Sequence, residues 1–298
     1  MASDAKLRDA DELIKKANKL TKLSFFKWST DWSSATALYE QAAMAYKLAK
    51  QLEKAKDAYV RAAEGQEKLS SPWQAAKDLE AAGAIAKELG KFDEVLELYK
   101  RASDLYNECG MPQPSADALA KGARALEEAN PDEALRLYMD SCGMLEEEGK
   151  EHMAFETYRA AMSLYLKRNR QLDAATVLLR WGLAADKSKA VHSQCKAYLS
   201  AIIVYLYAND FKQAEQCYND CSQIDAFMNN EHGSCAFDLL RAYREGDSVG
   251  IKHIVKSSSV IPHLDHTIVR LAKQLPTGEV MALASSVSDL NVADDDFT

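Results

Sequence analysis

The chain has 298 residues, of which 47% are hydrophobic and 28% charged, with only 12 glycines and 6 prolines. That length is long for one compact core but ordinary for an elongated helical repeat, and so little Gly and Pro argues against an all-β fold, which needs many turns. A net charge of −8 argues against wrapping nucleic acid, a task that usually comes with a basic excess.

Residues 1–20 are mostly charged, with no apolar stretch of the kind a secretory signal needs. They read as a first helix. A loop follows, Leu23-Ser24-Phe25-Phe26-Lys27-Trp28, with four large apolar residues in six. The first 30 residues hold seven Lys/Arg and four acids, 7 − 4 = +3. An apolar loop beside basic residues can dip into an anionic membrane surface, the aromatics supplying buried area and the lysines attraction. The opposing reading has Phe25 and Trp28 pack back onto the next hairpin.

From Trp32 onward one pattern returns: a starting residue, a small one three later, and Tyr or Leu seven later. It reads Trp32-Ala35-Tyr39, Leu52-Ala55-Tyr59, Trp73-Ala76-Leu79 (one position short), Phe92-Val95-Tyr99 and Pro131-Ala134-Tyr138. Glu151-Ala154-Tyr158, Leu172-Ala175-Leu179, a weaker Val191-Gln194-Tyr198 and Phe211-Ala214-Tyr218 follow. Starts lie about 20 residues apart, with one gap near 40 that holds a poorer copy between Ser115 and Glu128. Offsets of three and seven share one helix face. Alanine in the middle lets a neighbouring helix approach, and the aromatic fills the space beside it. Twenty residues make one helix and a turn, so forty make a hairpin. The expected fold is all-α, a right-handed superhelical solenoid of tetratricopeptide-like helical hairpins.

The turns agree. Ser71-Pro72-Trp73-Gln74 reads as a capping box, Asn130-Pro131-Asp132-Glu133 repeats the chemistry, and Gly90, Gly110 and Gly149 sit where helices should stop. Ala197–Ala208 is the most apolar run, too short to span a bilayer, and reads as a buried helix. Between residues 159 and 200 there are eight basic residues and two acids, 8 − 2 = +6. Within this segment Arg159 and Arg180 fall in helix bodies, Lys167, Arg168 and Arg170 in a turn, and Lys196 further on. The segment either steers an acidic partner or is simply solvated charge.

Past Met228 the pattern loosens into shorter helices at 249–258, 264–275 and 278–287, expected to form a bundle that closes the array. The division expected is a hairpin solenoid over 1–227, a continuous helical bundle over 228–287 and an acidic tail over 288–298. The tail ends Asp294-Asp295-Asp296-Phe297-Thr298. It is either a mobile end or a short plug, its acids meeting basic residues on a partner and Phe297 entering an apolar pocket.

Catalytic signals are weak. There is no P-loop and no HExxH. Gly246-Asp247-Ser248-Val249-Gly250 matches the nucleophile-elbow spelling, but a helix precedes it where a strand is required. His263 with His266, or His192 with Cys195, lacks a full metal ligand set. Six cysteines without CxxC pairs point to a reduced, cytoplasmic protein. No cofactor is expected.

The opening loop, basic segment and acidic-aromatic tail on this solenoid resemble the soluble NSF attachment proteins, adaptors for the hexameric N-ethylmaleimide-sensitive factor ATPase. Phe26-Lys27-Trp28 with Asp31, Ser34, Ala35 and Tyr39, and Leu52-Glu53-Lys54-Ala55-Lys56-Asp57-Ala58-Tyr59, are most similar to the gamma type. The resemblance implies an adaptor that coats the acidic four-helix bundle of a spent SNARE complex, touches the membrane peripherally and docks the ATPase. It implies a membrane loop of Leu23, Phe25, Phe26 and Trp28. It implies a SNARE-facing basic set drawn from Arg159, Lys167, Arg168, Arg170, Arg180 and Lys196. The ATPase-contacting tail would be Asp294, Asp295, Asp296 and Phe297. Asp117 departs from the pattern, falling near a position that is basic in alpha-type proteins. The competing readings are a helical-repeat structural subunit of a large complex and a hydrolase built on Ser248.

Overall fold

A computed structural model describes residues 2–22 and 30–277, with side chains from residue 7 onward. The chain divides into two compact units, Met1–Glu148 and Gly149–Thr298.

The first unit holds α1 (Ala2–Thr21), α2 (Trp32–Leu48), α3 (Leu52–Lys68), α4 (Pro72–Glu88), α5 (Phe92–Glu108), α6 (Pro112–Leu126) and α7 (Pro131–Glu147), each packed on the next. The second holds a 3-10 turn (Glu151–Ala154), α8 (Phe155–Lys167), α9 (Gln171–Lys187), α10 (Val191–Tyr207), α11 (Phe211–Cys221), α12 (Asp225–Met228), α13 (Glu231–Arg244), α14 (Ser248–Ser257) and α15 (His266–Ala272). No strand occurs among the described residues.

The middle position of every repeat copy is buried: Ala35, Ala55, Ala76, Val95, Ala134, Ala154, Ala175, Gln194 and Ala214. Tyr39, Leu79, Tyr99, Tyr138, Tyr158 and Tyr198 are buried too, each side chain contributing roughly 1.5–3 kcal/mol by leaving water. Tyr59, Leu179 and Tyr218 are half-buried, and Leu178 does the filling beside Leu179. The gap in the sequence pattern closes at α6, where Pro112, Ser115 and Leu119 stand in the same register. Ser115 is fully buried, its hydroxyl donating to Ser103 O at 2.8 Å. Serine replaces alanine at no desolvation cost because the hydroxyl has its partner.

Nine of the described helix ends share one device. Lys50, Ser70, Asn169, Lys189 and Asn209 have positive φ, as do Gly90, Gly110, Gly149 and Gly246. Each turns the chain out of a helix in the left-handed conformation that stops it. The capping box at Ser71 does not form. Ser71 Oγ turns toward Leu69 O at 3.5 Å, and Gln74 N donates to the Ser71 carbonyl instead. Asn130 does cap, accepting from Glu133 N at 3.4 Å.

α10 is the centre of the second unit. It packs against α9, α11, α12, α13 and α15, so residues 197–206 are buried without interruption. That accounts for the apolar run there. Thr277 Oγ1 donates to Leu206 O at 3.2 Å and Tyr207 O at 2.9 Å, fastening the described C-terminal end to α10.

Candidate functional site

The basic segment lies wholly in the second unit and divides into two places. Arg159 on α8 and Lys196 on α10 line one cleft of about 340 Å³, together with Trp181 of α9 and His192, His263 and His266. Arg159 donates through Nη1 to Glu156 at 3.0 Å, and its Nε lies 3.8 Å from Asp265 Oδ2. Its guanidinium stays half-exposed. Asp265 is held by its own helix, accepting from Thr267 N at 2.8 Å as the α15 cap.

Lys167, Arg168 and Arg170 do not reach the cleft. They surround the left-handed residue Asn169 in the turn between α8 and α9 and are exposed. Arg170 donates to Asp173 at 2.8 Å and lies over the Tyr165 ring, 4.8 Å from its centre, in cation–π contact. Arg180 sits 5.9 Å from the ring centre of Tyr158.

A second cleft, about 540 Å³, shares His192 and His263 with the first and adds His232. His232 is buried, 5.6 Å from the His192 ring. Its Nδ1–H donates to Asn230 Oδ1 at 2.6 Å, which leaves Nε2 buried without a partner. Burial first, then the facing His192, pushes its pKa down to about 4, so it is neutral at physiological pH. Trp181 Nε1 is a second buried nitrogen without a partner, in this case a donor. The first cleft therefore offers an arginine, a lysine and imidazoles around a single acid, a set suited to an acidic side chain.

The convergence of His192, Trp181 and His263 was not readable in the sequence. Seventy-one positions separate the two histidines, and no spacing links them. The hairpin repeat and the terminal segment are brought together by tertiary packing, α15 among the helices that lie on α10.

The loop residues Leu23, Phe25, Phe26 and Trp28 lie outside the described residues, as do Asp294, Asp295, Asp296, Phe297 and the segment 278–287. The flanks of the loop are placed: Asp31 N donates to Leu20 O at 3.1 Å, so the chain leaves and rejoins the hairpin at one point. Asp31 also caps α2, accepting from Ser34 N at 3.0 Å.

Ser248 is the first residue of α14. Its neighbour Asp247 caps that helix by accepting from Gly250 N at 2.8 Å, so the GxSxG spelling marks a helix start. Among the described residues no group of three or more His, Cys, Asp or Glu is arranged to hold a metal ion, and no helix is long and apolar enough to cross a membrane. All six cysteines are free, and five of them are buried.

Tandem helix pairs presenting a basic cleft define a helical-repeat binding scaffold. The model of the family "Soluble NSF attachment protein, SNAP" matches residues 8–274. The gamma-soluble NSF attachment protein of Arabidopsis thaliana is 52% identical over 290 residues, 97% of this chain and 99% of that one. The protein of the same name from Dictyostelium discoideum is 30% identical over 275 residues, 92% of this chain and 84% of that one. The chain belongs to the soluble NSF attachment protein family, and these relatives are of the gamma type.

Proposed function

We infer that this chain is a non-catalytic adaptor. It binds assembled SNARE four-helix bundles of the syntaxin-like kind and recruits and stimulates the N-ethylmaleimide-sensitive factor hexamer, which pulls them apart during vesicle-mediated transport. The observation that carries this reading is the match to gamma-type attachment proteins along nearly the whole chain.

Functionally we divide the chain into a hairpin array over 1–227, a helical bundle over 228–287 and an acidic tail over 288–298. Arg159 and Lys196, which share a cleft, are the basic residues favoured to meet the acidic bundle. Lys167, Arg168, Arg170 and Arg180 form a second contact along the same unit. The loop of Leu23, Phe25, Phe26 and Trp28 gives a peripheral hold on the membrane from the cytoplasmic side, since aromatic area and nearby lysines act together at an anionic surface. Asp294 to Phe297 engage the ATPase.

The test is reconstitution. This protein, the purified ATPase and an assembled SNARE bundle are combined on liposomes, and ATP hydrolysis and disassembly are followed. Bundle-dependent stimulation is expected. Phe297→Ala should reduce it at least fivefold with bundle binding unchanged, while Arg159→Glu with Lys196→Glu should weaken bundle binding itself. Absence of stimulation across several SNARE sets would overturn the adaptor reading.

A further inference from the structure

An apolar groove of about 440 Å³ lies between α14 and α15, with Ile261, Pro262, Val269 and Leu275 along it and Lys252, Lys256 and Lys273 beside it. Ile261 and Leu275 are buried, and all three lysines are exposed. Lys252 and Lys256 stand four apart on one helix face, where like charges repel. Among the described residues none of the three has an ion pair, whereas Arg159, Arg170, Lys187, Arg241 and Arg244 of the same unit each face a carboxylate. Three unneutralised ammonium groups around an apolar floor call for an occupant that is acidic and apolar at once.

The chain carries such a segment within reach. Twenty-one residues follow Thr277, with five acids (Glu279, Asp289, Asp294, Asp295, Asp296) and no Lys or Arg. Thr277 is fastened to α10, and Leu275 itself lines the groove. Even with 278–287 helical at about 1.5 Å per residue, the stretch from Thr277 to Asp294 can span roughly 40 Å, so distance imposes no limit. A tether of this length gives an effective concentration of order millimolar, enough for a modest contact to form within one molecule.

We propose that this groove is the docking site of the chain's own C-terminus, with Phe297 seated on the apolar floor and Asp294, Asp295 and Asp296 against Lys252, Lys256 and Lys273. The docking stands independently of the adaptor reading. Its consequence rests on that reading: a tail held in the groove is withheld from the ATPase, so the two contacts compete.

The full chain, dilute and alone, is treated with a carbodiimide that condenses a lysine amine with a touching carboxylate into an amide, the carbodiimide taking up the elements of water and leaving as a urea. An equal mixture of ¹⁴N- and ¹⁵N-labelled protein separates linkage within one chain from linkage between two. Expected are same-isotope linkages of Lys252, Lys256 or Lys273 to residues 294–296, at least fivefold above those to Lys212, and a severalfold loss in Phe297→Ala, which leaves every amine and carboxylate in place. Tail linkages spread evenly over surface lysines, unmoved by Phe297→Ala, would overturn the site. Mixed-isotope pairs alone would assign the groove to a second copy and overturn it equally. Added ATPase should lower the linkage; its persistence in a mixture where hydrolysis is stimulated would overturn the competition. None of the first three outcomes depends on the ATPase, so a failed docking and a failed adaptor role are told apart.

Discussion

Gly182 of α9 faces the ring of Tyr198 on α10 so closely that a Cβ on the glycine would lie 2.1 Å from Tyr198 Cε1. The ring is held on another side by Phe227, edge-on at 5.7 Å. It has little room to retreat. Alanine is worth about 1 kcal/mol more than glycine inside a helix. Here overpacking outweighs it, and Gly182→Ala is expected to destabilise the second unit by a net ~1–3 kcal/mol. Hydrogen exchange of α9 and α10 reads this directly, and unchanged or slower exchange would show that the ring yields. Tyr198→Leu in the same chain should return part of the loss.

Lys56 is buried, yet its ammonium is met by Glu94 and, at 3.0 Å, Glu53. Burial opposes its charge, but the hydrogen bonds it donates to Glu94 and Glu53 prevail and hold its pKa well above the usual range. The partners are substantially exposed. Removal of each side is therefore unequal. Lys56→Met leaves carboxylates that water can solvate and should cost under about 1 kcal/mol, while Glu53→Gln and Glu94→Gln together with Asp57→Asn, the third carboxylate at 3.4 Å, strand a buried cation and should cost about 2–4 kcal/mol. Equal costs in denaturant melts would contradict the asymmetry.

Asp78 is buried on α4, with Oδ2 unpartnered. Burial, then Glu40 nearby, raises its pKa from 3.8 to about 7. The folded state thus holds a proton that the unfolded chain releases. This contribution is full below about pH 4 and disappears as pH rises through about 7. At about 1.4 kcal/mol per pKa unit it is of order 2–4 kcal/mol. Asp78→Asn should keep the first unit stable at pH 8 and flatten the profile between pH 4 and 8, as read by exchange of α3 and α4.

His232 works in the opposite sense. Its pKa falls from 6.5 to about 4, so the folded state resists a proton that the unfolded chain accepts. Its contribution is present above about pH 6.5 and is lost as pH falls through about 4, an effect of about 2–3 kcal/mol. Acidification from pH 7 to 4 should loosen α12 and α13 in the wild type and much less in His232→Gln. A profile identical in both would remove His232 as the cause.

Hairpin order, helix register and helix stops were legible because each rests on local chemistry. Ala55 and Ala134 leave room for a neighbour, and Gly90 turns left-handed without a Cβ. The α6 copy matches the pattern poorly because Ser115 stands at the position that alanine holds elsewhere; the packed Ser103 carbonyl shows why serine is tolerated. Ser71 looked like a cap because composition does not reveal which of two acceptors an N–H chooses. Lys50, Ser70 and Lys189 stop helices without the residue type that signals it. Of the basic candidates, the sequence supplied Arg159 and Lys196 but not their meeting, nor the histidines around them. Those contacts join segments far apart in the chain.

The left-handed residues at 50, 70, 90 and 110, and again at 149, 169, 189 and 209, fall almost on a common stride. Lys50 and Gly90 leave their helices with φ of 56° and 72°, and an N-terminal half of a hairpin follows each. Excision of residues 51–90 would therefore join Lys50 to Lys91 through a joint of the kind already there, and duplication of the same stretch would do likewise. Chains of this design can gain or lose a hairpin in a single genetic event without reinventing a turn, which makes array length an inherited variable as free as sequence.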